Sequence, residues 1–480
     1  MNEKYQVVIG LEVHAQLQTQ SKLFSGDSVA FGADPNTHVS PISLAHPGTL
    51  PVMNKQVIDL AVRLGLALDC QINQHNYFAR KNYFYADLPK GYQVSQHTAP
   101  VCWGGHLMIN TADGEKRVML NRIHMEEDAG KSIHDLVEGY SCIDLNRAGT
   151  PLLEIVTEPC MHSAEEAFLF LTNLRKLVRW IDVCDGNMEE GSLRCDANIS
   201  IRLAGDTKLG TRVEVKNLNS IRNVKKAIEV ETKRLIELVE NNEPILQQTR
   251  SFDADNSTTF ALRSKEEADD YRYFPEPDLP AFYISDSHIE SIRMAMPMMP
   301  EQLQAKYKEA YGLSDYDAGV LCIDKEDAQY YEQLVAGNTW CKAAANWMLG
   351  PLKAYCNENN ISHNQFPLTV KQVQSLIEFA ETGKVSFNIA STRILSEMIT
   401  NGGGEPHQIA AALNLLQDSD QGTVELWVKE TLAAMPDKVK EYQAGKKNLL
   451  GLFAGQVKKL SKGKADMQLV NKILDQHLQQ

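Results

Sequence analysis

The sequence predicts an α+β protein, with an N-terminal, mainly antiparallel sheet followed by all-α segments. Three observations predict it. Apolar and polar residues alternate along several stretches of the first half. Amphipathic helical spacing interrupts those stretches. Beyond about residue 300 the strand signal stops and helical patterns take over.

Residues 5–18 alternate Val7, Ile9, Leu11 and Val13 against Glu12, His14 and Gln16, the period of a half-buried strand. In residues 191–202, Leu193, Cys195, Ala197, Ile199 and Ile201 oppose Arg194, Asp196, Asn198, Ser200 and Arg202. In residues 211–217, Val213 and Val215 oppose Arg212, Glu214 and Lys216. Residues 118–128 and 150–158 are further strands. One-sided strands of this kind belong to an antiparallel sheet with one face on the core. Ser163 with Glu166 forms a capping box ahead of Leu171, Leu174, Leu177 and Ile181, so a helix follows. A second helix is expected after Asn219, its stripe of Ile221, Val224, Ile228, Leu235 and Leu238 interrupted by Glu231. Pro275, Pro277, Pro280, Pro297 and Pro300 then mark a linker or extended arm. Helices are expected around residues 327–336, 342–356, 370–383 and 389–400, with a break at Asn401-Gly402-Gly403-Gly404 and helices again to the end. The domains expected from these breaks are 1–295, 296–400 and 401–480.

The 480 residues are 43% hydrophobic, enough for each domain to bury a core. No stretch of about 20 apolar residues exists, so no membrane span is expected. The polar start and the short run Val7–Leu11 suit no secretory leader, so the expected compartment is the cytoplasm. Nine scattered cysteines without a C-x-x-C pair argue for buried thiols rather than disulfides or a zinc site. The net charge is −14, but residues 421–480 hold ten lysines against six acidic residues, or +4, which leaves −18 for residues 1–420. A basic tail on an acidic body fits nucleic acid at one end and cation chemistry at the other.

The sequence contains no Walker phosphate loop, no G-x-G-x-x-G fingerprint and no G-x-S-x-G elbow. It carries acidic groups on the polar faces of its strands instead. Glu12 and His14 point the same way on one strand. Arg122, His124 and Glu126 share a face on another, with Glu127 and Asp128 after them. Asp196 pairs with Asn198, Glu214 pairs with Lys216, and Glu154 sits among apolar neighbours. Carboxylates, an imidazole and a flanking cation suit Mg²⁺ holding phosphate oxygens. Each of these residues taken singly reads more simply as part of a solvated strand face.

Several segments carry a family resemblance: 9–17, 78–96, 124–134, 144–159, 189–200, 214–220 and 263–280, together with the tail stretch 451–474. They resemble the B-subunit family of bacterial glutamyl/aspartyl-tRNA amidotransferases along nearly the whole chain. The large insertion of the archaeal relatives is absent. The resemblance implies a cradle akin to the glutamine-synthetase and guanidino-kinase sheet, then a helical domain, then a tRNA-touching tail. It implies ATP and Mg²⁺ as cofactors. It implies a heterotrimer with an amidase A subunit and a small C subunit, acting on mischarged Glu-tRNA(Gln) or Asp-tRNA(Asn). The side-chain carboxylate is phosphorylated and then amidated with ammonia that the A subunit frees from glutamine. Carried over by motif, Glu12 and His14 are metal and active-site groups, and Glu126, Glu127, Glu154, Asp196 and Glu214 are acidic lining, with Glu126 and Glu214 counted among the metal ligands. Lys81, Asp87 and Lys90 are the candidates for an ammonia path. Lys446, Lys447, Lys458, Lys459, Lys462 and Lys464, with no acid among them, are the candidate tRNA contacts. The family's Thr-Gly ending before the tail is replaced here by Thr400-Asn401-Gly402-Gly403-Gly404, which bears on the tail's orientation. Two other readings compete: a tRNA-holding scaffold with inert acidic strands, and a stand-alone carboxylate–amine ligase.

Overall fold

A computed structural model describes residues 4–264, 271–416, 421–461 and 465–478. The chain forms two compact units, Met1–Pro297 and Met298–Gln480. A ten-stranded sheet dominates the first. From one edge its strands run Thr258–Ser264, Gln248–Asp253, Val213–Lys216, Leu193–Leu203, Tyr5–Gln16, Pro151–Thr157, Gly114–Glu127, Cys102–Trp103 and Gln71–Ile72, with His106–Thr111 paired to Gly114–Glu127 off this path. All neighbours are antiparallel except Val213–Lys216 and Gln248–Asp253.

The alternation read from sequence decides what each face does. Ile9, Leu11, Val13, Ile123, Met125, Leu153, Ile155, Ala197, Ile199, Val213 and Val215 are all essentially inaccessible to solvent. The helices Ala164–Trp180 and Ile221–Glu240 pack against each other and against strands of this sheet. Their starts follow from local chemistry: the Ser163 and Ser220 hydroxyls accept from the amides of Glu166 and Asn223. Glu231 does not spoil the second helix as the pattern suggested. It is fully buried, with Arg234 ion-paired to its carboxylate and the Thr259 hydroxyl donating to it.

One element was not expected from the sequence. Residues Lys55–Ala67 form a helix, capped by Asn54, that the alternation reading passed over. Gly65 lets this helix close on the sheet: a Cβ there would lie 2.5 Å from Cys102 Sγ. Of the two readings of the proline-rich stretch, linker or extended arm, the structure shows the arm. Phe274–Pro275 pairs with Ala79–Asn82, Phe282–Tyr283 pairs with His75–Asn76, and Asp286–Ala295 packs on Lys55–Ala67. Arg80 clamps the arm through a bidentate pair with Glu276, at 2.8 and 2.7 Å.

The second unit is helical throughout its described residues. Gly350-Pro351 does not end its helix. The backbone loosens to a π turn at Met348–Leu352 between Cys341–Trp347 and Lys353–Asn359, which absorbs the proline without breaking the rod. The Gly402–Gly404 run ends the helix Leu395–Thr400, the amides of Gly402 and Gly403 donating to Ile399 and Met398 carbonyls. Val424, Val428, Tyr442, Phe453, Val457, Val470, Ile473 and Leu474 form a separate core farther along. All nine cysteines are free. Among the described residues no helix is long and apolar enough to cross a membrane.

Candidate active site

Strand register turns scattered polar residues into one site. Glu12 lies opposite Asp196, and Asn198 opposite Glu214. His14 lies opposite Glu154, which lies opposite His124. Residues paired across antiparallel strands share a face. The site-side residues of five neighbouring strands therefore converge on the face that turns away from the helices.

They form two adjoining groups. One holds Glu12, Asp196 and Glu214, the other His14, Glu126 and Glu154. Within each, ligand atoms lie within 4.8 Å of one another. His14 Nε2 is 3.6 Å from Glu126 and 3.5 Å from Glu154. His124 Nε2 is 3.0 Å from Glu154 and 3.5 Å from Glu126. Asn198 donates to Glu12 at 2.8 Å, the Thr249 hydroxyl donates to Glu214 at 2.8 Å, and Lys216 reaches Asp196 at 2.5 Å and Glu214 at 3.1 Å.

The electrostatics follow from burial and crowding. Burial, and then the nearby Glu154 charge, push the Glu12 carboxyl above its ordinary range. Burial works against a charged His124 ring, but Glu154 and Glu126 outweigh it and push its pKa up to about 9. His14 is raised for the same reasons. Glu154 is held well below the usual range because His124 and His14 outweigh its burial. One group is thus a mixed imidazole–carboxylate cluster. The other gathers three carboxylates against one lysine. An all-oxygen set of this kind fits a hard divalent cation.

A cavity of about 300 Å³ opens on Glu12, His14, Lys81, Arg122, Glu154 and Tyr273. Sequence reasoning gave Lys81 to an ammonia path and did not name it among the residues lining this site. The strand Ala79–Asn82 carries it into the wall, where it sits 4.9 Å from the Tyr271 ring. It also missed an aromatic part of the wall: Tyr273 stacks on His97 at 4.0 Å between ring centroids, and both line the cavity. No periodicity links residue 97 to residue 273. Glu127 points elsewhere. It is one residue beyond Glu126, on the opposite side of the strand, where it pairs with Lys90 and accepts from the Val94 amide. A second cavity, about 240 Å³, is lined by Lys90, Glu127 and Lys22. Asp87 lines neither cavity; its carbonyl accepts from Gly130 and its carboxylate from Ser132.

In the tail, Lys446 pairs with Glu441 at 3.0 Å and Lys447 lies 4.2 Å from the Tyr442 ring. Lys458 and Lys459 are exposed, and Lys462 and Lys464 lie outside the described residues. Phe453 and Val457 are buried as the apolar pattern required, whereas Leu452 is 47% exposed.

The GatB/GatE catalytic domain model matches residues 7–290, and the GatB domain model matches residues 329–478. The chain belongs to this family. Curated relatives named as B subunits of aspartyl/glutamyl-tRNA(Asn/Gln) amidotransferases extend the likeness to full length. The chain is 47% identical over 477 residues to the relative from Alkalilimnicola ehrlichii, with 99% of both chains covered. It is 49% identical over 474 residues to the relative from Geotalea uraniireducens, with 98% of each covered. The relative from Pseudomonas savastanoi pv. phaseolicola is 46% identical over 481 residues, covering 99% of this chain and 100% of the relative. The family's catalytic-domain match spans the strands that bring the two carboxylate groups together.

Proposed function

We propose that the chain is the ATP-using subunit of a tRNA-dependent amidotransferase, and that the sheet face bearing Glu12 is where the side-chain carboxylate of Glu-tRNA(Gln) or Asp-tRNA(Asn) is activated. The observation that carries this reading is the gathering of Glu12, Asp196 and Glu214 beside His14, Glu126 and Glu154 on one open sheet face. Phosphoryl transfer needs positioning and charge neutralisation more than covalent chemistry. Such a face supplies both without a glycine loop.

Glu12, Asp196 and Glu214 would hold Mg²⁺. When bound, the ion neutralises phosphate oxygens and lowers the barrier to transfer. Asn198, Thr249 and Lys216 fix these carboxylates, so little reorganisation is needed during reaction. His14 and His124 balance Glu126 and Glu154, so the substrate carboxylate approaches a wall that is not wholly anionic. Lys81 and Arg122 add positive charge in the same cavity. The carboxylate oxygen attacks the terminal phosphorus and ADP departs. Ammonia then forms the C–N bond, phosphate leaves, and a proton is lost to a nearby base. Lys81 at this cavity, and Lys90 at the cavity behind Glu127, are the groups we assign to an ammonia path from the amidase A subunit, with the small C subunit completing the heterotrimer. Such an enzyme works beside translation, in the cytoplasm.

We further take the tail as a domain of its own, because its core draws only on residues from Val424 onward. The helix Pro406–Ala412 packs instead on Val370–Glu381 and on Leu395–Thr400, so we move the expected division at 400 beyond it.

The test uses the assembled heterotrimer carrying Glu12→Gln. tRNA-dependent ATP cleavage should fall on the order of a hundredfold or more, while glutamine hydrolysis by the partner stays measurable. Undiminished ATP cleavage would remove the assignment and favour a tRNA-holding scaffold. Amidation without the partner subunits would favour a stand-alone ligase.

A further inference from the structure

Asp128 is a buried acid that the chemistry above leaves unused. It follows the strand Gly114–Glu127 and is 5% exposed. Its oxygens are fully engaged. Arg194 donates from Nη1 to Oδ2 at 2.9 Å and from Nη2 to Oδ1 at 3.0 Å. Gln16 donates to Oδ2 at 2.9 Å, the Ala129 amide donates to Oδ1 at 3.0 Å, and Arg147 Nε lies 3.6 Å from Oδ2. Arg147 is fixed again by the carbonyls of Ala129 and Gly130, at 2.9 and 2.6 Å. Burial works against a charged Asp128, but Arg194 and Arg147 outweigh it and hold the carboxyl below its ordinary range.

One carboxylate shared by two guanidiniums leaves an excess positive charge. Both guanidinium side chains remain about one-third exposed, 32% for Arg194 and 38% for Arg147. Both line a cavity of about 840 Å³, within the size range of small-molecule sites. Asp196 and Lys216 line this cavity and the Glu12 cavity alike, so the two meet there. The wall of the larger cavity also carries apolar Phe31, 76% exposed, and Met188. The lining as a whole is balanced, Lys131, Arg147, Arg194 and Lys216 against Asp144, Glu189, Glu190 and Asp196. But the two anchored guanidiniums stand together near the carboxylate site with an apolar surface in the same cavity, an arrangement that matches a nucleotide laid along the sheet.

We propose that Asp128 is a positioning residue for the nucleotide: it aims Arg194 and Arg147 into the larger cavity, where they hold the phosphates of ATP whose terminal phosphate reaches Asp196 and Lys216. This rests on the reading of the Glu12 face as the ATP-using site. Guanidiniums suit the role because their planar forks pair with phosphate oxygens and, once anchored, lose little further freedom on binding. tRNA phosphates are the other anion available. Lys and Arg both meet such phosphates, but along an open surface that tracks the backbone, whereas these guanidiniums line a cavity of small-molecule size that adjoins the carboxylate site.

The experiment measures KM for ATP and for charged tRNA, and kcat, in the assembled heterotrimer. Asp128→Asn keeps the side chain's shape and removes its charge. KM for ATP should rise roughly tenfold to a hundredfold, as expected for a lost charged hydrogen-bond pair, with kcat and KM for glutamine little changed. Asp128→Glu should recover part of the loss. Arg194→Met should raise KM for ATP as well, and the double variant should be little worse than either single one, since the two act as a unit. An unchanged KM for ATP in Asp128→Asn would overturn the proposal. A rise confined to KM for tRNA would also overturn it and give the arginines to the tRNA. If Asp128→Asn fails to assemble, Arg194→Met decides, and an unchanged KM for ATP there overturns the proposal. Failure of the underlying reading looks different: Glu12→Gln would then retain ATP cleavage.

Discussion

Lys22 shows what a single residue does in this fold. It is 1% exposed, and its ammonium donates to the carbonyls of His38 at 2.7 Å and Leu145 at 3.3 Å, tying the long segment 17–54 to the turn after residue 144. Burial lowers its pKa to about 8, against an ordinary value of 10.5. The sign of the linkage follows. Between these two pH values the unfolded chain binds a proton that the folded chain has released, so stability rises with pH across that window. Below pH 8 both states are protonated and the cost of burying the charge is borne in full, on the order of 3 kcal/mol. Replacing Lys22 with Met should therefore flatten the stability profile between pH 8 and 10.5, as read from denaturant midpoints. A slope equal to that of the parent chain would show that Lys22 does not titrate there.

At the scale of elements, the strand Ala79–Asn82 illustrates what sequence could and could not reveal. It is pinned between Tyr92–Ser95 and the arm strand Phe274–Pro275, and this pinning delivers Lys81 to the cavity that holds Glu12. Burial opposes the Lys81 charge, but Glu126 and the other charges facing it outweigh this and raise its pKa, so it stays an ammonium. Lys81→Met should weaken amidation driven by glutamine more than amidation by free ammonium, because a residue that guides ammonia matters only to the first. Equal loss of both would place it in activation instead. The long strands through Glu12, Glu126, Glu154 and Asp196 were legible because one face is buried and forces period-2 alternation. The short strands at Ala79–Asn82 and Phe274–Pro275 were not, since two to four residues carry no period. Register was not legible either, and it is register that sets Glu12 against Asp196 and His14 against Glu154. The helix Lys55–Ala67 escaped because its apolar residues run together with a glycine among them.

Across the whole molecule, charge is segregated: the last 60 residues carry +4 and the rest −18 of the net −14. The tail has its own core, with Phe453 and Val457 inside and Lys458 and Lys459 outside on the same helix, Leu450–Leu460. A basic surface held on a small core can neutralise phosphates without reading bases, which suits a substrate taken by shape. Lys446 is less available, since it already pairs with Glu441. Because the helix Pro406–Ala412 packs on the preceding helices, removal of residues 421–480 is a cleaner cut than removal of 405–480. The shorter deletion should raise the KM for charged tRNA and leave glutamine hydrolysis intact. Charge reversal at Lys458, Lys459, Lys462 and Lys464 should do the same and reduce the salt dependence of tRNA binding, by up to about one unit of slope per lost phosphate contact. The KM for ATP should stay near its parent value in both, because the carboxylates and arginines that would hold ATP all lie before residue 297. If tRNA affinity and its salt slope are unchanged in the reversed variant, the lysines serve solubility or a partner subunit. The tRNA would then be held by the first unit, whose net charge would require Mg²⁺ or its arginine-lined cavity to do so.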